Sequence, residues 1–307
     1  SGAEQAKRPP SQPSVSTDKR YYRAGETITA TASGSTDPDG DPITYYYRFF
    51  DQSAGSILRD WSTDNTYTVT SGEEGHVIRV FAKACDSRGA CSPENSTDVG
   101  VIKVIRIVPS ADAYVDSCFP YNNFGNSPNL ICGVQFEPIV PTITPPEPPI
   151  PYTQVEKSST DPGYKIAKKC VYRTYIKFDI SSIPSNAIVF KANLSLYKTG
   201  HSGDPKAIQL GAHRVHSSWG ENTTNWTNQP SFNATATWSI TPPTSNNLYL
   251  SWNVTSDVQL FADGAQNYGW CIKSSDEEQN TRVNFASKES TNDNKPYLRI
   301  EYAPKVD

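Results

Sequence analysis

The chain is a succession of short runs in which every second residue is apolar, each run stopping at a cluster of turn formers. A period of two marks a strand with one buried face, whereas a helix repeats near 3.6. In "HVIRVFAKA", Ile78, Val80, Ala82 and Ala84 share one wholly apolar face, and Arg79 and Lys83 lie on the other with Val77 and Phe81. Over 21–107 the runs "ETITATAS", "ITYYYRFF", "SILRDWS", "NTYTVT" and "STDVGVIKVIRI" follow the same style, and "PSVST" precedes them. About seven strands in that length predict an immunoglobulin-like sandwich.

Residues 108–304 repeat the β pattern in "ADAYVDS", "NLICGV", "KKCVYRTYIKFDI", "AIVFKANLSLYKT", "AIQLGAHRVHSS", "LYLSWNV", "YGWCIKSS", "TRVNFASK" and "PYLRIEYA". In "TSDVQLFADG", Val258, Phe261 and Ala262 fall at helical spacing; Thr255 or Ser256 can cap it and Gly264 ends it. Nine or so strands with one short helix predict a larger sandwich of jelly-roll type. The fold class is therefore all-β: an immunoglobulin-like domain over 21–107, a jelly-roll-type domain over 108–307, and an extended N-terminal tail over 1–20. The tail is polar and aperiodic, and stays ordered only where something holds it. "EPIVPTITPPEPPIP" carries seven prolines and opens an insertion over 137–168 inside the second domain. Proline cannot continue a sheet ladder, so a polyproline-like, exposed segment is expected.

Six cysteines form no CxxC pair and have no histidine at zinc spacing. Cys85 and Cys91 flank one short loop, Cys118 and Cys132 another, and Cys170 remains for Cys271. Three disulfides in an oxidising, extracellular setting are the expectation, against six buried thiols as the alternative. Asn-x-Ser/Thr sequons at Asn95, Asn193, Asn222, Asn225, Asn233 and Asn253 fit a secreted glycoprotein. Methionine is absent even at position 1, which reads as a processed or trimmed start. A net charge of −4 gives no electrostatic reason to expect nucleic acid or an anionic membrane, and no apolar run is long enough to span a bilayer.

Chemistry-bearing patterns are few. Nucleophile elbows, Walker loops, HExxH and Rossmann glycines do not occur. His213 and His216 are three apart in a strand run and so face opposite sides. "STDPDGDPITYYYRF" crowds Asp37, Asp39 and Asp41 before a strand. Such residues supply turn conformations, or gather a calcium ion. In an immunoglobulin-like sandwich this loop and "CDSRGAC" share one end, which would bring Asp86 to the cluster. Trp219 and Trp226 in "SSWGENTTNWTNQP" either stack on sugar rings or anchor a loop to the core. Lys165, Lys168, Lys169 and Arg173 are the dense basic group an acidic polysaccharide would need, or else a solvated face.

The first domain resembles the PKD-like and cadherin-like immunoglobulin-fold modules of microbial surface proteins, on "GSTDPDGDPITYYYRF" and "VFAKACDSRGACS", with the Cys85/Cys91 pair as a departure. The second is similar to the DNRLRE family, also described as a carbohydrate-binding module family related to disaggregatase-type repeats. The matching stretches include "DAYVDSCFPYNNFGNSPNL", "RTYIKFDISSIPSNAIVFKANLSLY", "HRVHSSWGENTTNWTNQP", "WNVTSDVQLFADGAQNYGWCIKSSDE" and "NKPYLRIEY". That resemblance implies a secreted, usually non-catalytic sandwich, some relatives of which bind acidic polysaccharide. The leading expectation is a non-enzymatic subunit of an extracellular filament, sheath or surface layer, its tail joining identical subunits into a homopolymer. The alternative is a carbohydrate-binding or adhesin protein that recognises extracellular polysaccharide through the second domain.

Overall fold

The computed structural model describes residues 7–138 and 167–307. Of the proline-rich stretch Glu137 and Pro138 are described, and they continue a strand to its end; the rest of it and Lys165 fall outside these residues.

The first domain contains β1 (Ser14–Thr17), β2 (Tyr21–Tyr22), β3 (Thr27–Ser33), β4 (Ile43–Asp51), β5 (Ser56–Ser62), β6 (Thr66–Thr68), β7 (Val77–Asp86) and β8 (Asn95–Val101). They form two sheets, β1-β3-β6 and β2-β8-β7-β4-β5. Alternation decides the inside: Ile28, Ala30 and Ala32 of β3 meet Phe49 of β4, Ile78, Val80 and Ala82 of β7 and Val99 of β8 in one core. The tail is held by its own domain. Ser11 donates its amide to the Thr36 carbonyl, Gln12 reaches the Glu94 carbonyl, and β1 pairs with β3. A donor strand for a neighbouring subunit is thus already used at home among the described tail residues.

The run "STDVGVIKVIRI" is not one strand. It divides at Ile102, and β9 (Lys103–Ile107) leaves the first domain's sheets to pair with β19 (Tyr297–Pro304). Around this junction Arg23 bonds Glu301 at 2.7 Å, and Tyr21 meets Phe190 edge-on. Gly100 has no side chain because a Cβ there would lie 2.8 Å from the Tyr21 ring.

The second domain continues with β10 (Ala111–Asp116), β11 (Asn129–Pro138), β12 (Ala167–Lys177), β13 (Ala187–Ser202), β14 (Leu210–Arg214), β15 (Trp238–Ile240), β16 (Leu248–Asn253), α1 (Thr255–Ala262), β17 (Trp270–Ser274) and β18 (Arg282–Ala286) before β19. Together with β9 these make one 11-stranded sheet, a nine-strand path from β15 to β9 with β10 and β16 paired off it. Leu210 and Ile272 from one end of the path share a core with Leu196, Phe285 and Ile300 from the other, so the path closes on itself as a sandwich. Trp252 and Trp270 are the largest side chains of that core, and their indole N–H groups donate to the Leu210 carbonyl and to Asp257 Oδ2. Large aromatics tolerate full burial when that one polar atom is satisfied. Helix α1 forms where the apolar spacing predicts it, and Gly264 with φ +105° follows its end. Its N-cap is Val254 without a side-chain bond; the Thr255 hydroxyl is turned to Asn253 Oδ1 and accepts from the Ala192 amide instead.

Lys198 lies on the inward face of β13 with Leu194 and Leu196, and no part of it is exposed. Its ammonium donates to the Pro243 and Ser245 carbonyls at 2.9 and 2.8 Å and to Asn246 Oδ1 at 2.7 Å.

The cysteine pairing differs from the expectation. Cys85 and Cys91 are bonded, but Cys118 joins Cys170, while Cys132 and Cys271 are buried free thiols. The reason is register. The β10–β12 ladder sets Asp116 against Tyr172, and two residues on in each strand direction Cys118 meets Cys170. Cys132 belongs to the main core beside Ile272, whose carbonyl accepts from its thiol. Cys271 precedes Ile272 on β17 and points to the other side, against Tyr175 and Trp219.

Candidate carbohydrate-binding site

Two loops of the second domain meet on one surface. The first joins β10 to β11 and is pinned at its start by the Cys118–Cys170 bond. The second runs from Val215 to Phe232 and is laid over the sheet by three aromatics: Trp219, Trp226 and Phe232 pack on Tyr175 and the alanines of β10. The loops are tied together by Asn123, whose amide donates to the carbonyls of Glu221 and Thr224 at 2.7 and 2.8 Å, and by Thr227 N–H on the Pro120 carbonyl. Gly125 permits this approach, since a Cβ there would be 2.2 Å from the Glu221 carbonyl oxygen.

Trp219, read above as either a sugar platform or a loop anchor, is only 7% exposed; its N–H donates to the Tyr268 carbonyl and the Lys177 ammonium covers its ring. It has no free face, which fits the anchor and not the platform. Trp226 is half-buried, with the Arg173 guanidinium 4.8 Å from its ring centre. Trp238 on β15 is 48% exposed, and the two most open of the exposed aromatics lie elsewhere. Phe119 is 58% and Tyr121 80% exposed, both on the disulfide-pinned loop. Phe119 also lines a pocket of about 340 Å³ with Tyr172, Glu137, Lys168 and the Cys118–Cys170 bridge. Two exposed rings beside an apolar pocket with one acid and one base offer stacking surface and a few orienting polar groups, the mixture small-ligand sites use. Reasoning from tryptophans alone missed Phe119 and Tyr121, although "CFPYNNFGN" carried the signal: aromatics alternating with turn formers next to a cysteine.

Among the described residues, the basic group does not form a free cationic patch. Lys168 donates to the Cys118 carbonyl, Lys169 is paired with Glu278, and Arg173 is bidentate to Glu277 at 2.8 Å per bond. Burial pushes the Glu277 carboxyl up, but the guanidinium beside it prevails and holds it below the usual range. His213 is buried, with its Nδ1 at 2.7 Å from the Asn233 carbonyl; His216 is exposed and turned to the Asn233 side chain, so the two do not converge. Burial lowers the His213 pKa.

In the first domain the β4–β7 register sets Ile43 against Asp86 and brings the two predicted loops together. One carboxylate oxygen each from Asp37, Asp41 and Asp86 lies within 4.8 Å of the others. Asp39 does not join them: the Arg8 guanidinium takes it at 2.6 Å, and Arg88 approaches Asp41 at 3.0 Å. Asp37 Oδ1 caps the amides of Asp39 and Asp41 as an Asx turn, while its Oδ2 has no donor. Among the sequons, Asn95, Asn222 and Asn253 are exposed; Asn193 stands opposite Asn253 across the β13–β16 ladder, and Asn225 and Asn233 are half-buried.

Residues 155–302 match the model of carbohydrate-binding module family 96. The match supports a carbohydrate-binding β-sandwich for the second domain, in which β12 supplies Lys168 and Tyr172 to the pocket. No curated protein matches the chain. Among the described residues, no helix is long and apolar enough to cross a membrane.

Proposed function

We propose that the protein binds extracellular carbohydrate through its second domain, as a non-catalytic recognition module. The observation that carries this reading is the pair of exposed rings, Phe119 and Tyr121, on a loop pinned beside the pocket. Sugar rings present flat apolar faces, and an exposed aromatic held rigidly loses little entropy when it stacks on one. Because Lys169 and Arg173 are already paired with acids, stacking rather than net charge would supply most of the affinity. The test is a polysaccharide pull-down and glycan array on the whole chain. Saturable binding should weaken at least about tenfold in Phe119→Ala/Tyr121→Ala, about 1.4 kcal/mol, and change little between low and high salt. Undiminished binding by the double variant would overturn the site. The matched family favours this reading over the filament subunit, for which the described tail offers no free strand.

A structural role for calcium in the first domain is proposed alongside it, at Asp37, Asp41 and Asp86, on the unpartnered Asp37 Oδ2. Such a clip would join the β3–β4 and β7–β8 loops.

A further inference from the structure

A second group of acids lies beneath the two loops of the carbohydrate face. Asp112, on β10, has no exposed surface. Its Oδ2 accepts from the Lys288 amide at 2.8 Å, and its own amide donates to Glu221 Oε1 at 2.9 Å. The Glu221 and Glu289 carboxylates converge on it, with one oxygen of each of the three within 4.8 Å of the others. Lys288 bonds both glutamates, at 3.0 Å to Glu221 and 2.6 Å to Glu289, and among the described residues is the one cation that bridges them. Three carboxylates and one ammonium leave a formal charge of −2.

The oxygens left over point to what is needed. Asp112 Oδ1 and Glu289 Oε2 are both buried and neither has a donor. A buried carboxylate oxygen without a partner has lost its hydration with nothing in return, and the cost is larger when it is charged. A proton shared by one pair would satisfy those two oxygens but leave the third acid only partly compensated. A divalent ion answers the whole charge. The donors are all oxygen, which selects a hard cation and gives no reason for zinc or copper. Glu221 and Glu289 are each partly open to solvent, so water can complete a coordination shell of six to eight oxygens.

We infer that Asp112, Glu221 and Glu289 form a calcium-class cation site that fastens β10 and the segment after β18 to the Val215–Phe232 loop. The site differs from the acidic loop of the first domain and does not depend on the carbohydrate reading.

The experiment titrates chelator-treated whole chain with calcium alone, by calorimetry and by thermal unfolding. The expected Kd lies between about 10⁻⁵ and 10⁻³ M, with a rise in Tm at saturation. Asp86→Asn removes a ligand from the first-domain acids and should keep this response. Glu289→Gln added to Asp86→Asn, at a partly buried position where the amide keeps the size of the side chain, should lose it; Asp112→Asn in the same background should do the same where it folds. Absence of any calcium response in Asp86→Asn overturns the proposal. A response of unchanged affinity in Asp86→Asn/Glu289→Gln overturns it as well. If the wild type shows no response and Glu289→Gln is simply more stable, the acids share a proton instead and the cation site is refuted.

Discussion

Replacing Lys198 with methionine tests what holds the β15–β16 loop. The substitution keeps the length of the stem among Leu194 and Leu196 and deletes only the ammonium. Its three shortest bonds are then lost, to the Pro243 and Ser245 carbonyls and Asn246 Oδ1, besides the longer ones to His201 Nδ1 and the Thr244 carbonyl. At about 1–3 kcal/mol each, the gross loss is about 3–9 kcal/mol. Two effects reduce it. Desolvating an ammonium costs several kcal/mol that methionine does not incur. Residues 244–246 are also exposed, so their oxygens can regain water once the loop moves. The net cost should be about 3 kcal/mol, which for a domain of this size lowers Tm by about 6–12 °C. Calorimetry of Lys198→Met at neutral pH reads the shift directly. Hydrogen exchange should locate it: Asn247, at φ +61°, donates its amide to the Lys198 carbonyl and should lose protection first. A Tm within about 2 °C of wild type, with Asn247 still protected, would refute the claim that the ammonium organises this turn.

Two further outcomes follow from named contacts. The Arg23 guanidinium, with Arg299 adding to it, holds the Glu301 carboxyl below its ordinary value. A depressed folded pKa stabilises above the unfolded value near 4.3 and is lost as pH falls through the folded one, so wild-type Tm should fall more steeply between about pH 5 and 3 than that of Arg23→Gln; parallel curves would dismiss the bridge. Burial pushes the Cys132 and Cys271 thiols up to about 12, so a thiol reagent at pH 8 should label neither in the native protein and both in guanidinium. Rapid native labelling would show that one of them is accessible.

Much of the architecture is legible in the sequence because alternation is a local signal. The inward set of β7 and the apolar stripe of α1 can be read off directly, as can the meeting of the Asp86 loop with the Asp37 loop. What escapes is set by distant register. Whether Cys118 meets Cys132 or Cys170 depends on the β10–β12 ladder, which joins segments separated by 52 positions. Loop length alone favours the nearer partner, and the wrong pairing followed from it. The same limit applies to Trp219: its composition allows stacking or anchoring, and only its burial under Lys177 decides. Nothing in "ADAYVDS" sets Asp112 apart from any other acid in a strand; only the placement of β10 brings it beside Glu221 and Glu289.

The split of "STDVGVIKVIRI" has a mechanical side. Ile102 is the whole connection between β8, in one sandwich, and β9, in the other. There is no flexible tether to stretch or swivel. Traction that slides β9 along β19 would load the five paired positions from Ile107–Leu298 to Lys103–Tyr302 side by side, so they would have to fail together rather than peel apart in turn. A glycan pulling on the second domain would therefore transmit its tension to the first without slack.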